Sequence, residues 1–327
     1  MERIILCLEK PDARQDDLNK EFGIDSEVSI KVSDSPMELS KNEKNSVYGL
    51  FTKLSVCITD DLVQQFPNLV VIGTPTTGRD HINISAQNTK KIQLVTLSKF
   101  PDVIRSFSST VEVAWWHILE LSRHCSKFED LIEKEIWNRY AYSHSSFRGK
   151  TLGVVGLGRL GDKVAQIAKS FGLRVIFSEI DLERINIGKL NGYEFVTLEK
   201  IFEIANIISL HVDDRKSNLK LINSNLLQCI DTNFPILINT SRGFIVDEEA
   251  IVESLEKGKL RGFGADVLTN EQVFSHNKNL RNNIIWQAKY SKNLPITITP
   301  HIGGATTDSM NLSSVMTLIE MRTVILQ

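Results

Sequence analysis

A chain of 327 residues is longer than one ordinary domain and is expected to form two. With 42% hydrophobic and 24% charged residues it has the make-up of a folded globular protein, and a formal net charge of −2 leaves no electrostatic case for nucleic acid or an anionic membrane as partner. The opening Met1–Lys10 has too short an apolar run for a signal peptide and no stretch approaches a membrane span. The four cysteines, Cys7, Cys57, Cys125 and Cys229, show neither metal nor C-x-x-C spacing, so no metal site is expected; a cytoplasmic location, with the thiols buried as small apolar residues, is.

In chain order, Arg3–Leu8 reads as a strand, Pro11–Phe22 as a polar helix ended by Gly23, and Val28–Val32 as an alternating strand. Ser33–Asn45 is polar, a loop with room for one helix. Val47–Thr52 and Leu69–Gly73 read as strands around a helix at Asp60–Phe66, and a helix at Asn83–Thr89 precedes a strand at Ile92–Leu97. This α/β unit carries no dinucleotide fingerprint, and holding a substrate is the task left to it. Its turn Thr74-Pro-Thr-Thr-Gly-Arg-Asp80 has small residues that leave backbone N–H groups free for a carboxylate; an ordinary surface turn is the plainer alternative. In Ser109–Arg123, Val111, Ala114, Trp115, Ile118, Leu119 and Ser122 trace one helical stripe while Val113 and Trp116 point elsewhere. Such a helix is buried, either in the chain's own core or against a second copy. Lys134–Gly149 is a polar and aromatic link.

Thr151–Val155 is short, apolar and β-branched, as a strand covered on both faces is. Gly156, Gly158 and Gly161 follow as G-x-G-x-x-G and open a helix with Val164, Ile167, Ala168 and Phe171 at helical spacing. The first glycine permits a tight turn, the second lets backbone approach a pyrophosphate, and the third lets helix pack on strand; the helix N-terminus offers N–H groups to the phosphates. Arg174–Ser178 reads as the next strand. Glu179 at its end, eighteen residues after Gly161, is placed to accept from a ribose 2′-hydroxyl and to repel a 2′-phosphate, which favours NAD over NADP; Arg184 nearby keeps NADP open.

The alternation continues: helices at Leu198–Ala205, Asn223–Ile230 and Asp247–Lys257, the last capped by Asp247 and Gly258, and strands at Ile207–His211, Pro235–Asn239, Phe263–Val267 and Ile296–Thr299. Strands separated by helices imply a parallel doubly wound sheet, whose ligands sit beyond the carboxyl ends of the strands. His211, Asn239–Arg242, Asp266 with Glu271, and His301 fall there. Arg242 can fork onto a carboxylate and its neighbouring carbonyl, or make a structural ion pair. His301, if paired with Glu271, becomes a better proton acceptor held in one orientation.

Three blocks, 149–161, 238–250 and 299–306, with the shorter Ala265-Asp-Val267, resemble the D-isomer-specific 2-hydroxyacid dehydrogenases, the family containing phosphoglycerate dehydrogenase and glyoxylate/hydroxypyruvate reductase. The resemblance implies two parallel-sheet α/β domains, Rossmann-like and flavodoxin-like, with the active site in a cleft between them: residues 1–103 with 300–327 for substrate and 104–299 for NAD. It implies catalytic roles for Arg242, Glu271 and His301, and NAD contacts at Thr77, Arg159, Leu160, Glu179, Val212, Thr240, Asp266, Gly303 and Gly304 beside the fingerprint glycines. It implies a substrate carboxylate on Thr76, Thr77 and Gly78, and a homodimer joined through 109–123. The sequence departs from the pattern where Glu179 replaces aspartate, His211-Val-Asp-Asp214 lacks proline and threonine, Gln272 follows Glu271 in place of proline, and Leu97–Arg105 lacks a glycine–asparagine loop. Thirty residues separate Glu271 from His301, with Trp286 among them, and this segment is expected to shape the substrate pocket, or else to be a surface excursion whose tryptophan packs on its own loop. The chain ends soon after its last helix, so no C-terminal regulatory domain is expected.

The expected activity is NAD-linked interconversion of a D-2-hydroxy acid and its 2-keto acid, both small molecules. The rival is a dinucleotide-sensing interaction protein, as in the corepressors that share this fold. Lys53, Arg79 and Arg105 are spare cations for a phosphate or second carboxylate, with surface solvation the plainer reading.

Overall fold

The computed structural model describes residues 3–22, 27–33, 35–79, 81–142, 144, 146–271, 273 and 279–327, so the helix-ending role expected of Gly23 falls outside the described residues, as does Gln272. The chain divides into two compact units, 1–107 with 305–327, and 108–304.

In the first unit five parallel strands lie side by side in the order Val28–Val32, Arg3–Cys7, Val47–Phe51, Val71–Gly73, Gln93–Val95. Numbered along the chain this is 2-1-3-4-5, the flavodoxin-like winding. Successive side chains in a strand face opposite ways, and the core follows that rule. Leu6, Leu50 and Ile72 pack on one face with Phe66 and Ile92; Ile5, Phe51 and Val71 pack on the other with Leu318, Met321 and Ile325. The last three belong to the helix Thr307–Leu326, which comes close enough that a Cβ on Gly73 would stand 2.1 Å from Met321 Sδ. Several helices here are shorter than the residue pattern suggests. The first spans only Gln15–Glu21, the next Asp60–Val63 ahead of Pro67, and the third Ala86–Thr89, where the Ser85 hydroxyl caps the Asn88 N–H. Lys41–Ser46 is an α-helix in the polar stretch, started by a Ser40–Glu43 capping box.

The second unit holds seven parallel strands in the order Glu194–Phe195, Arg174–Ser178, Thr151–Val155, Ile207–Leu210, Ile236–Asn239, Gly262–Ala265, Ile296–Ile298. This is 3-2-1-4-5-6-7, a Rossmann winding whose switch point lies between Thr151–Val155 and Ile207–Leu210. The inner strands are buried along their whole length, with apolar clusters on both faces. The helix Leu182–Leu190 and the edge strand Glu194–Phe195 complete the winding between two segments read from the sequence; Asp181 caps that helix through the N–H groups of Glu183 and Arg184.

The helix Ser109–Arg123 has the expected bounds, and Val111, Ala114, Trp115, Ile118 and Ser122 of its expected stripe are buried. Trp116, expected off the stripe, is 47% exposed; the departures are Leu119, expected on the stripe and 37% exposed, and His117 and Leu121, which are buried beside it. The helix packs on Ile236–Asn239, Gly262–Ala265 and the helix Arg159–Ser170 together, which extends its buried arc to His117 and Leu121 and leaves Leu119 at its edge. A second helix, Cys125–Glu133, follows through His124 in a left-handed conformation (φ 56°) and had no counterpart in the periodicity. Asp247 stands at its expected cap position, but its carboxylate meets Lys220 Nζ at 3.2 Å and not the helix N–H groups. Of the four thiols only Cys7 is buried; Cys57 and Cys125 are exposed, because each lies outside the sheet cores. Among the described residues no helix is long and apolar enough to cross a membrane.

Candidate active site

The fingerprint turn is built by missing side chains. Gly156 has φ +89°, and a Cβ there would meet His211 O at 2.8 Å; a Cβ on Gly161 would meet Gly156 O at 2.2 Å. A Cβ on Gly158 would meet only Arg184, at 3.4 Å, so that side of the turn is open to a ligand. The Gly156 N–H donates to Ser178 O, and the Leu157 N–H to Glu179 Oε2 at 2.8 Å. Gly158 caps the helix Arg159–Ser170 without a side chain, and among the described residues the N–H groups of Gly158, Leu160 and Gly161 meet no acceptor. Orphan N–H groups at a positive helix end suit a pyrophosphate. Thr240 Oγ1 is buried without a hydrogen-bond partner, which also fits a site made for a bound group. Val212 is half-buried just past the Gly156 contact. The residues present therefore fit NAD.

Glu179 is more committed than its place at a strand end implies. Its side chain is only 6% exposed; Oε1 accepts from the N–H groups of Ile180 and Asp181, and Oε2 from Leu157, with Arg184 at 3.9 Å. One acceptor position on Oε2 is left for a ribose hydroxyl. His211 folds back on its own strand. Its Nε2 pairs with Ser209 Oγ at 2.8 Å, and burial pushes its pKa down to about 4.

His301 and Glu271 come together: Nδ1 to Oε1 is 2.7 Å, with the two side chains 30% and 35% exposed. Burial alone would lower the imidazole pKa. The hydrogen bond and charge of Glu271, aided by Asp266, outweigh burial and the opposing Arg242 charge, so it lies above its ordinary value. With Nδ1 committed, Nε2 is the atom available to a substrate. His301 has φ +54°, uncommon for a residue with a Cβ, and is held by its N–H donating to Asp266 O (2.8 Å) and Thr299 O (3.0 Å).

Asp266, expected to touch NAD, spends most of its carboxylate on this turn. Oδ1 accepts from Thr299 Oγ1 (2.6 Å) and the Ile302 N–H (2.9 Å), and Oδ2 from the Gly303 N–H (2.8 Å), leaving one position on Oδ2. Gly303 is required there, since a Cβ would stand 2.9 Å from Asp266 Oδ2; Gly304 has open space around it. Thr110 Oγ1 donates to Gly303 O at 3.0 Å. Thr110, Thr299 and His117 were not singled out in the sequence; Thr299 beside Pro300-His301 offered the one local signal.

Arg242 follows Ile236–Asn239. Its Nη1 donates to Ser241 O (2.7 Å), and Asn239 Nδ2 donates back to Arg242 O (2.9 Å), which fixes the turn. Gly243 lets that turn lie on the chain leading to Glu271, where a Cβ would stand 2.1 Å from the Leu268 carbonyl carbon.

In the first unit, Thr74 Oγ1 and Thr76 Oγ1 are 3.0 Å apart, Thr76 Oγ1 donates to Gly78 O (2.7 Å), and buried His81 meets Thr74 Oγ1 at 3.1 Å. Among the described residues the N–H groups of Thr76, Thr77 and Gly78 meet no acceptor. Of the spare cations, Lys53 pairs with Asp12 and Arg105 with Asp102, while Arg79 is exposed.

Between Glu271 and His301, the helix Ile284–Tyr290 buries Ile285 and Ala288 in the core, and Asn283 ties it to Glu248 (2.9 Å). The ring contacts of Trp286 are with Tyr290 (4.7 Å) and Arg281 (5.9 Å), inside its own segment, as in the surface-excursion alternative.

A family profile described as the NAD binding domain of the D-isomer specific 2-hydroxyacid dehydrogenases matches residues 115–303. The chain is 31% identical over 270 residues to the D-3-phosphoglycerate dehydrogenase of Bacillus subtilis, covering 83% of this chain and 48% of that one. It is 28% identical over 311 residues to the glyoxylate reductase of Pyrococcus horikoshii, covering 93% and 86%. The chain thus spans about half the length of the phosphoglycerate dehydrogenases it matches, 58% for that of Haemophilus influenzae. Among solved structures, a D-lactate dehydrogenase from Aquifex aeolicus complexed with NAD and lactic acid aligns with TM-score 0.77 at 23% identity, covering 97% of this chain and 93% of that one, a likeness of fold.

Proposed function

The chain belongs to the D-isomer-specific 2-hydroxyacid dehydrogenase family, and from that premise we propose that it interconverts a D-2-hydroxy acid and its 2-keto acid with NAD. The observation that carries the proposal is the 2.7 Å pair of His301 Nδ1 with Glu271, which leaves Nε2 for the substrate. NAD, when bound, supplies the hydride acceptor for oxidation and the donor for reduction. In oxidation His301 Nε2 takes the hydroxyl proton as the C2 hydride leaves, and Glu271 stabilises the imidazolium; in reduction the proton returns to the C2 oxygen. Arg242 binds the carboxylate and polarises the C2 oxygen, and the N–H groups at 76–78 are further donors for the carboxylate. The fingerprint turn, Glu179, Thr240 and Asp266 hold the cofactor, with Glu179 favouring NAD over NADP.

A homodimer is part of the same reading. It is supported by the exposed aromatic side chains Trp137 (90% exposed), Tyr140 (86%) and Trp116 and the exposed Leu119 of the second unit. Exposed Cys57 and Cys125 suit a reducing cytoplasm.

The test is oxidation of NADH against glyoxylate, pyruvate and a phosphorylated 2-keto acid. Turnover of none, with NADH bound tightly, would turn the reading to a dinucleotide sensor. Glu271→Gln removes what raises the His301 pKa, so that pKa falls. Oxidation needs the neutral imidazole, and its acid limb should move to lower pH; reduction needs the protonated form and should fail earlier as pH rises. An unmoved profile refutes the pair's role.

A further inference from the structure

His117 is fully buried in the helix Ser109–Arg123, and both its ring nitrogens are bonded: Nδ1 to Thr297 Oγ1 at 2.7 Å, Nε2 to Thr299 Oγ1 at 3.0 Å. Proton counting settles the direction of each bond. Thr299 has one hydroxyl proton and gives it to the Asp266 carboxylate, an acceptor only, at 2.6 Å. Thr299 must then accept from His117, so Nε2 carries the hydrogen. A neutral His117 accepts on Nδ1 from Thr297, and all three bonds are satisfied by one proton arrangement. Burial favours that neutral form: it pushes the pKa down to about 4, with Asp266 opposing and Lys289 assisting, the two charged groups that act on the ring. The imidazole fits so near the sheet because the strand beneath offers Gly264, where a Cβ would stand 2.8 Å from His117 Cβ.

We propose that His117 is a positioning residue: its Nε2–H, relayed through the Thr299 hydroxyl, fixes the Asp266 carboxylate that holds the turn bearing His301. Asp266 is the hub of that turn, taking the Ile302 and Gly303 N–H groups on its carboxylate and the His301 N–H on its carbonyl. With Thr299 relieved of its donor, the hydroxyl can rotate and the carboxylate is no longer held at one end. The left-handed backbone of His301 then keeps its own N–H bonds to Asp266 O and Thr299 O, but the Ile302 and Gly303 N–H groups that follow lose a fixed acceptor. The proposal rests on the reading of His301 as the proton carrier, but its physical content, the anchoring of the turn, can be measured without turnover.

The test compares variants of the full chain. His117→Gln places an amide N–H where Nε2 was and keeps the bond to Thr299. His117→Asn keeps a polar atom near Nδ1 and cannot reach Thr299. His117→Leu fills the space with no polar atom. His301→Ala is the control. In the Asn and Leu variants, amide hydrogen exchange at Ile302 and Gly303 should quicken about tenfold, the size of one buried hydrogen bond, and kcat should fall by a similar factor. Gln should restore both. Thr299→Val should reproduce the Leu variant, and the double variant should be no worse than either single one, since both cut one chain of bonds. If Leu matches or exceeds Gln, His117 only fills space and the proposal fails. It fails also if exchange at Ile302 and Gly303 is the same in all forms. If His301→Ala retains full activity, the functional reading falls, while the exchange data still decide the anchoring.

Discussion

The turn after Thr151–Val155 and the turn after Val71–Gly73 each follow a short buried parallel strand, yet they are closed by opposite means. The first is closed by absence. Gly156 and Gly161 leave no room for a Cβ, and the backbone locks onto Ser178 O and the Glu179 carboxylate. The second is closed by side chains, with the hydroxyls of Thr74 and Thr76 and the ring of His81 bonding to one another and to Gly78 O. Both end with backbone N–H groups that meet no acceptor among the described residues. The winding of a sheet thus determines where such turns arise, and the residues after the strand determine what the turn can hold and how it breaks. The turn at 299–303 is a third solution, hung on one carboxylate and carrying the histidine.

The largest expected effect separates binding from chemistry. His301→Ala should lower kcat by about 10²–10⁴ while NADH affinity, which depends on the glycine turn, stays near wild type; stopped-flow turnover with fluorescence titration of NADH checks both. Next is stability at low pH. The folded pKa of His117 is about 4, below an unfolded value near 6.5, so the protein binds its proton only on unfolding. Its contribution is whole above pH 6.5 and is lost as pH falls toward 4, by about 3 kcal/mol. Urea unfolding at pH 7 and pH 4.5 should show a loss that His117→Gln reduces.

Two substitutions compare the turns directly. Gly161→Ala drives a methyl against Gly156 O and should cost about 1–3 kcal/mol of stability, with at least tenfold weaker NADH binding. Thr76→Val removes one hydroxyl and should raise KM for the keto acid by about tenfold or less, leaving NADH affinity alone. An equal effect of both on NADH would erase the distinction between the turns. Smallest is Glu179→Ala, which should narrow a preference for NADH over NADPH of about tenfold in kcat/KM toward parity, because the acid both accepts from the ribose and repels the phosphate; parity already in the wild type would refute the role.

The sequence by itself determined the local elements and the residue types of the site. Alternation of β-branched runs with helical stripes marked nearly every inner strand, because a strand buried on both faces has to be apolar throughout. G-x-G-x-x-G declared its turn because only glycine fits at 156 and 161, where a Cβ would meet backbone. Short-range signals failed where a contact from elsewhere decided the outcome. Leu119 lies on an apolar stripe yet faces out, since three elements packed on one helix select its buried arc. Trp286 turns to its own helix, and Cys57 and Cys125 reach the surface. The pairing of His301 with Glu271, the claim of Asp266 on residues 299–303, and the bonds of His117 with two threonines 180 and 182 positions away were decided by tertiary structure alone. A hydrogen bond requires its partners within about 3 Å, and only the packing of a helix on the parallel sheet, with neighbouring strands ending side by side, brings residues so distant in the chain to that separation.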